Sequence, residues 1–286
     1  MTYLCQPYDD ALEEIMERGH RKVNRTGVDT LAVFCIEKRY DISEGWPLIT
    51  GRKLTTKALF GELLWFLEGS TNNNRLRELG CNFWTPWVDE DFTRRHHFEP
   101  GAFGPLYGFQ LRHFGGSYNH GIENDAYGRG GYDQLANMID TLKTNPDCRR
   151  NLFSLWNPNQ LHQMRLPPCH YTYQCFVHDG KLSGCLTQRS CDFPVGIPFN
   201  IGFYSALTMM LAQQAGLEPH EFIHSTKDSH IYVDQIDKVE EYLAREKPDS
   251  PKLKIRKAKD IFSYTPKDFK VVGYKPQPKL DIAVAI

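Results

Sequence analysis

Apolar residues recur along this chain at two spacings, and each change of spacing predicts a change of element. From Tyr8 to Gly19 the helical period sets Ala11, Leu12, Ile15 and Met16 on one face, with Gly19 as the stop. Thr30 to Ile36 is β-prone, and Arg39-Tyr40-Asp41-Ile42 reads as another short strand before Gly45-Trp46-Pro47. Thr56 to Glu68 is the densest helix, apolar at Ala58, Leu59, Phe60 and then from Leu63 to Leu67. Further on, a helix is predicted from Tyr132 to Lys143 and a strand over Leu152–Trp156. Gly196-Ile197-Pro198-Phe199-Asn200 leads into a helix running to about Ala215, stopped by Gly216. Asp228 to Tyr232 alternates, putting Asp228, His230 and Tyr232 on one strand face, and Asp234 to Arg245 is helical. Asp89 to Asn124, rich in Gly, His, Arg and Asn, reads as long irregular structure, and the tail is Pro-rich before its apolar end at Asp281–Ile286. No internal repeat or linker breaks the pattern, so one domain over residues 1–286 is expected.

The strongest two-residue alternation flanks a turn. Tyr171 to Val177 and Lys181 to Arg189 are strands joined by Asp179-Gly180, a tight-turn pair. A two-residue turn there makes paired residue numbers sum to 359, which sets Cys169 opposite Ser190 and diagonal to Arg189. Pro167 and Pro168 donate nothing to a ladder, so they place Cys169 at a strand entrance. A thiol, a guanidinium and a hydroxyl then meet at one end of a sheet. That is a site for an anionic substrate with its own nucleophile, because a neighbouring Arg favours thiolate. Cys175, mid-strand among Tyr173, Gln174 and Phe176, reads instead as core.

Charge and composition narrow the chemistry. A hydrophobic content of 41% suits a substantial core, and a net charge of −1 lacks the global basic field of a general nucleic-acid binder. Anion recognition must therefore be local. The N-terminus does not read as a signal peptide, and eight cysteines outside a secretory context read as reduced thiols in a cytoplasm. No Cys-x-x-Cys pair occurs, so no metal site is expected.

Other residues carry two readings each. Glu62 has Ala58, Leu59, Trp65 and Phe66 as helical neighbours; it is either a raised-pKa proton carrier or a Glu at a pocket edge. Arg25, in the turn Asn24–Gly27, is a solvated charge or a phosphate clamp. Trp84 and Trp87 are core filler or a flat wall for a ring. Arg149 and Arg150, adjacent before a strand, point to opposite faces and cannot both serve one pocket by alternation. Asn200 is a helix cap, or the side chain that donates and accepts to a pyrimidine edge.

Taken together, Arg25-Thr26-Gly27, Glu62–Leu67, Tyr107-Gly108, Arg149-Arg150, Pro168-Cys169-His170, Gln188–Asp192, Gly196–Asn200, Asp228–Tyr232 and Val284-Ala285-Ile286 resemble the thymidylate synthase family over essentially the whole length. The resemblance implies an α/β (α+β) single domain on a mixed β-sheet flanked by helices, and a sheet-mediated homodimer. It implies reductive methylation of dUMP to dTMP, with 5,10-methylenetetrahydrofolate as cosubstrate and no metal. Cys169 would add to carbon 6 of the uracil. Glu62 and Tyr107 would relay protons, with Asn200, Asp192 and Arg189 completing the catalytic set. The dUMP site would comprise Arg25, Gln188, Arg189, Ser190, Asn200, His230 and Tyr232, with Arg149 and Arg150 reaching in from the partner subunit. Trp84, Trp87, Asp192, Phe199, Ala285 and Ile286 would bind folate, the apolar terminus closing as a lid.

The chain departs from that pattern at Thr85-Pro86, at Leu111 after Gln110, at Thr226-Lys227 and in the insertion-like segment 91–102. The nearest rival is a dUMP hydroxymethylase on the same fold, with water replacing hydride; Asn200 suits uracil in either case. A different class is a non-catalytic protein gripping RNA through Arg25, Arg149, Arg150 and Arg189, at most a minor activity at this net charge. A cysteine hydrolase is disfavoured because His170, next to Cys169 in a strand, points the other way.

Overall fold

Residues 2–118 and 130–284 are described by a computed structural model. Six strands form the main sheet: β1 (His20–Lys22), β2 (Thr30–Asp41), β3 (Leu152–Ser154), β4 (His170–His178), β5 (Lys181–Asp192) and β6 (Glu218–Tyr232). Their spatial order is β1-β2-β6-β5-β4-β3. Neighbours run antiparallel except β5 and β6, which are parallel, so the sheet is mixed. A parallel pair needs a crossover, and α7 (Gly196–Ala215) supplies it. Apolar almost all round, α7 is buried against the sheet and ends where Gly216 turns left-handed at φ 74°.

The remaining helices are α1 (Gln6–Arg18), α2 (Thr56–Glu68), α3 (Asn73–Glu78), α4 (Glu90–Arg95), α5 (Tyr107–His113), α6 (Gln134–Thr144) and α8 (Ile236–Ala244). Every residue of α2 from Ala58 to Leu67 is buried, and Gly69 closes the helix at φ 77°. One hydrophobic core runs from Cys5 to Leu280. No helix among the described residues is long and apolar enough to cross a membrane.

Four predicted elements are corrected. The two short strands before Gly45 are one, β2: Glu37 alternates to the exposed face, while half-buried Lys38 shares the face of Ile36 and Tyr40 and reaches Glu14 of α1 at 3.7 Å, so the polar pair is no break. Within 89–124 lie α4 and α5; the Asp89 side chain caps α4 by accepting from Phe92 N–H at 2.9 Å, and residues 119–124 fall outside the described part. The strand after Arg150 stops at Ser154, where the Ser154 hydroxyl accepts from Trp156 N–H. The Pro-rich tail contains an antiparallel pair, β7 (Lys252–Ile255) and β8 (Phe269–Val272).

The sheet has two unlike faces. Tyr173 on β4 is buried against α7, its hydroxyl 2.7 Å from Thr208 Oγ1. Gln174 and Phe176 alternate to the other face, which they share with their partner-strand neighbours Leu152 and Cys185. Phe176 is 67% exposed there and Leu152 42%.

Candidate active site

The β4–β5 turn is the predicted two-residue type, with φ positive at both Asp179 (47°) and Gly180 (72°). Paired numbers sum to 359 from His178↔Lys181 as far as Thr172↔Thr187, then shift to His170↔Gln188. One extra residue on β4 makes a bulge, so Cys169 faces Arg189 and not Ser190; Arg189 N–H donates to Cys169 C=O at 2.8 Å. That shift brings guanidinium and thiol together, Nη2 lying 3.9 Å from Sγ. Arg189 is held in that pose by donating to the carbonyls of Pro168 and Pro167, each at 2.9 Å. The two prolines thus fix the guanidinium as well as the strand entrance.

Burial pushes the Cys169 thiol above its ordinary pKa, against the pull of Arg189, Tyr107 and Arg25. The neighbouring Arg189 favours thiolate, and burial opposes it. Tyr107, at the start of α5, accepts from Cys169 N–H at 2.9 Å. Its ring stacks on His170 at 4.4 Å, and His170 Nδ1 lies 2.7 Å from the Tyr204 hydroxyl. His170 is committed to that packing and turned away from the thiol.

Glu62 projects from α2 into the same region. Burial raises its carboxyl to about 7, opposed by the Trp84 indole, which donates to Oε1 at 2.6 Å. The Trp84 ring contacts Tyr107 at 5.5 Å, so one run of contacts leads from Glu62 through Trp84 and Tyr107 to Cys169. Trp84 and Trp87 are half-buried with ring centres 6.3 Å apart, and half-buried Phe199 meets Phe83 edge-on at 4.5 Å. These rings form a wall suited to a flat heterocycle.

The opposite rim is polar. His230 Nδ1 lies 3.0 Å from Asp228 Oδ1, and with Lys22 this holds the Asp228 carboxyl down to about 2. Asp192 accepts from Val195 N–H at 3.1 Å and is raised by burial, against the pull of His230. Tyr232 is raised by burial and by Asp192, then lowered by Arg25 and a hydrogen bond with Thr26. The Arg25 turn is therefore within electrostatic reach of Tyr232 and Cys169, its side chain exposed. Ser190, half-buried, pairs with Asp228 across the parallel β5–β6 edge. Gln188 is buried; its Nε2 donates to Ser190 C=O at 3.1 Å and its Oε1 lies 3.0 Å from His224 Nε2.

For Asn200, Arg149 and Arg150 the structure decides the local setting that the sequence left open. Asn200 does not cap α7, which starts at Gly196 after Val195; it lies one turn inside, half-buried. Arg149 and Arg150 occupy an exposed turn, not a strand, and Arg149 lines a groove with Gln174, Phe176 and Cys185 on the sheet face turned from α7. The structure does not bring this pair to Cys169 within one chain. Ala285 and Ile286 lie outside the described residues. Sequence reasoning missed Lys22 and His224. His224 becomes visible only from the Leu186↔His224 register of the parallel pair, two residues from Gln188.

Residues 6–286 match the family model described as thymidylate synthase. The chain belongs to the thymidylate synthase family. A thymidylate synthase of Corynebacterium aurimucosum is 42% identical over 285 residues, covering all of this chain and 99% of its own length. The thymidylate synthase of Homo sapiens is also 42% identical, over 283 residues, with 98% of this chain and 90% of its own length covered. Thymidylate synthases are methyltransferases that use methylenetetrahydrofolate as cosubstrate, and the mixed sheet with its helical layer agrees with that fold. Among the described residues no group of three or more His, Cys, Asp or Glu is arranged to hold a metal ion.

Proposed function

We propose that this chain converts dUMP to dTMP, with Cys169 as the nucleophile. One observation carries the reading: in a member of this family, Cys169, the Arg189 guanidinium and the buried Glu62 carboxyl are joined through Tyr107 and Trp84. Arg189, Ser190 and Arg25 bind the nucleotide phosphate, and that dianion is the charge their placement suits. Asn200 reads the uracil edge, and Gln188 steadies the strand end beneath it. His230 and Tyr232 take the deoxyribose hydroxyl, with Asp228 orienting the imidazole.

The Cys169 thiol gives its proton to water, and the thiolate bonds to carbon 6 of the ring as the C5–C6 π bond breaks; the electron pair passes to the enolate over carbon 5 and O4, so that carbon 5 becomes nucleophilic. A phosphate arriving beside Arg189 and Arg25 draws on the same guanidinium groups that hold down the thiol pKa. Desolvation by the bound ring and precise placement of sulfur then favour addition. Glu62, poised to about 7, exchanges protons with the bound base through water. Methylenetetrahydrofolate supplies the one-carbon unit and the hydride when bound. Trp84, Trp87 and Phe199 fit its flat ring and Asp192 its polar edge, with Ala285 and Ile286 closing over it.

The protein acts as a homodimer in the cytoplasm. Exposed Phe176 and Leu152, on the face turned from α7, support pairing of two sheets. That face carries the Arg149 groove, so Arg149 and Arg150 serve the partner's phosphate site. The hydroxymethylase alternative gains no support, since both relatives above are named synthases.

A spectrophotometric assay with dUMP and methylenetetrahydrofolate tests the reaction. Dihydrofolate should accumulate with turnover, and Cys169→Ala should bind dUMP without converting it. Consumption of dUMP with no dihydrofolate would overturn the proposal. Mixing Cys169→Ala with Arg150→Ala protein should restore activity that neither has alone; no recovery after verified subunit exchange contradicts the shared site.

A further inference from the structure

One buried amide joins three parts of the chain that lie far apart in sequence. Gln235, between β6 and α8, is 1% exposed. Its Oε1 accepts from Tyr232 N–H at 3.2 Å, the bond of a capping box over the single helical turn that follows β6. Its Nε2 donates to Ala283 C=O at 2.8 Å. Burial raises the Asp192 carboxyl to about 6, and a hydrogen bond from the same Gln235 side chain is among the pulls against it. An amide nitrogen carries two N–H groups, so one serves Ala283 and the other Asp192.

Residues 273–284 form neither helix nor strand. They are pinned at the near end, where Gln277 N–H donates to Thr50 C=O and Arg245 Nη1 to Pro278 C=O, each at 2.8 Å. Leu280 is buried in the core, whereas Lys279 and Asp281 on either side of it face solvent and pair with each other. Beyond Leu280, Gln235 is the one side chain among the described residues that hydrogen-bonds the backbone of this segment. Its own mounting is firm: Val233 N–H donates at 3.0 Å to the carbonyl of Asp29, in the loop that carries Arg25.

Capping alone does not explain a glutamine here. The cap uses only the acceptor, and a glutamate supplies that equally well. Both donors are surplus to the cap, and both are taken up by the site. We propose that Gln235 is a positioning residue: its amide locks the C-terminal segment to Asp192, so that Ala283 and the carboxyl are set together for the cosubstrate. The inference rests on the reading above, in which Asp192 meets the polar edge of methylenetetrahydrofolate. Tyr232 N–H fixes the plane of the amide, so both donors are aimed before any ligand arrives. Without them, no described hydrogen bond holds the segment beyond Leu280, and Asp192 loses a donor that orients it.

The test compares two variants. Gln235→Glu keeps the acceptor for Tyr232 N–H and deletes both donors, whereas Gln235→Met deletes the polar group without placing a charge beside Asp192. In ligand-free protein, carboxypeptidase A should remove residues from the C-terminus about fivefold faster in both variants than in the unaltered chain. In the dihydrofolate assay both should raise KM for methylenetetrahydrofolate about tenfold, the loss of roughly one net hydrogen bond. Gln235→Glu should keep its Kd for dUMP, by isothermal titration, within about threefold, which a general loss of folding would not. Unchanged tail release in both variants, or a rise in dUMP Kd as large as the rise in folate KM, would overturn the inference. Tail release needs no turnover. A chain that makes no dihydrofolate, yet sheds its terminus faster in both variants, contradicts the proposed function and supports this coupling.

Discussion

A carboxylate on the most apolar helix of the chain is costly to ionise, and Glu62 shows by how much. Its folded pKa of about 7 lies above the ordinary 4.5, so its contribution to stability is full below about pH 4.5 and is lost as pH rises through 7. Glu62→Gln keeps an acceptor for the Trp84 indole, so above pH 7 it should raise stability by about 3 kcal/mol, and at pH 4 hardly at all. Urea titrations at the two pH values check this. The same substitution should lower kcat at least a hundredfold and remove a kcat limb near pH 7. His224 acts at the same scale with opposite sign. Burial lowers it to about 3, so its contribution is present above about pH 6.5 and is lost as pH falls toward 3. His224→Phe leaves Gln188 Oε1 unpaired in the interior and should cost about 1–3 kcal/mol at pH 7.5, with a raised KM for dUMP. A Phe variant as stable as the unaltered protein contradicts that role.

Among the elements, the hairpin was legible and its last step was not. Asp179-Gly180 announced the turn and its register held for most of the ladder. The bulge beside Tyr171 then moved Cys169 by one partner, and no local residue pattern signals a bulge of that kind. Helical spacing put Glu62 on an apolar face but left it either buried or at a pocket edge; the Trp84 indole bonded to its buried carboxyl comes only from the tertiary packing. Asn200 could not be placed, since proline at position 198 is compatible with either side of a helix start. The α4 cap at Asp89, followed by acidic and then basic residues, was a readable start signal masked by the surrounding Gly and His. Close packing between elements is invisible in one dimension. A Cβ on Gly184 of β5 would meet the Tyr173 hydroxyl at 2.0 Å and Thr208 Oγ1 at 2.7 Å. Gly184→Ala should therefore cost about 1–3 kcal/mol in thermal or chemical denaturation. An unperturbed midpoint means that the strand and α7 are less tightly joined than described.

At the scale of the whole molecule, the sheet divides the labour. One face is filled by α1, α6 and α7, and its β4–β5 end carries the thiol. The other leaves Leu152 and Phe176 to water in an isolated chain, beside the groove of Arg149. If the proposed sheet pairing and shared site hold, Phe176→Glu should give a monomer in sedimentation velocity and abolish turnover, each site then lacking its partner's arginines. An active monomer rules out the shared site. Strand propensity does not distinguish the two states of that face, since the same alternation serves a solvated face and a joined one.

Covalent attachment of the pyrimidine to Cys169 is open to mass analysis. Protein quenched during turnover with dUMP and methylenetetrahydrofolate should yield one nucleotide-bearing peptide, the one containing Cys169, and Cys169→Ala should yield none. A nucleotide attached to any of the other seven cysteines, or turnover by Cys169→Ala, would contradict it.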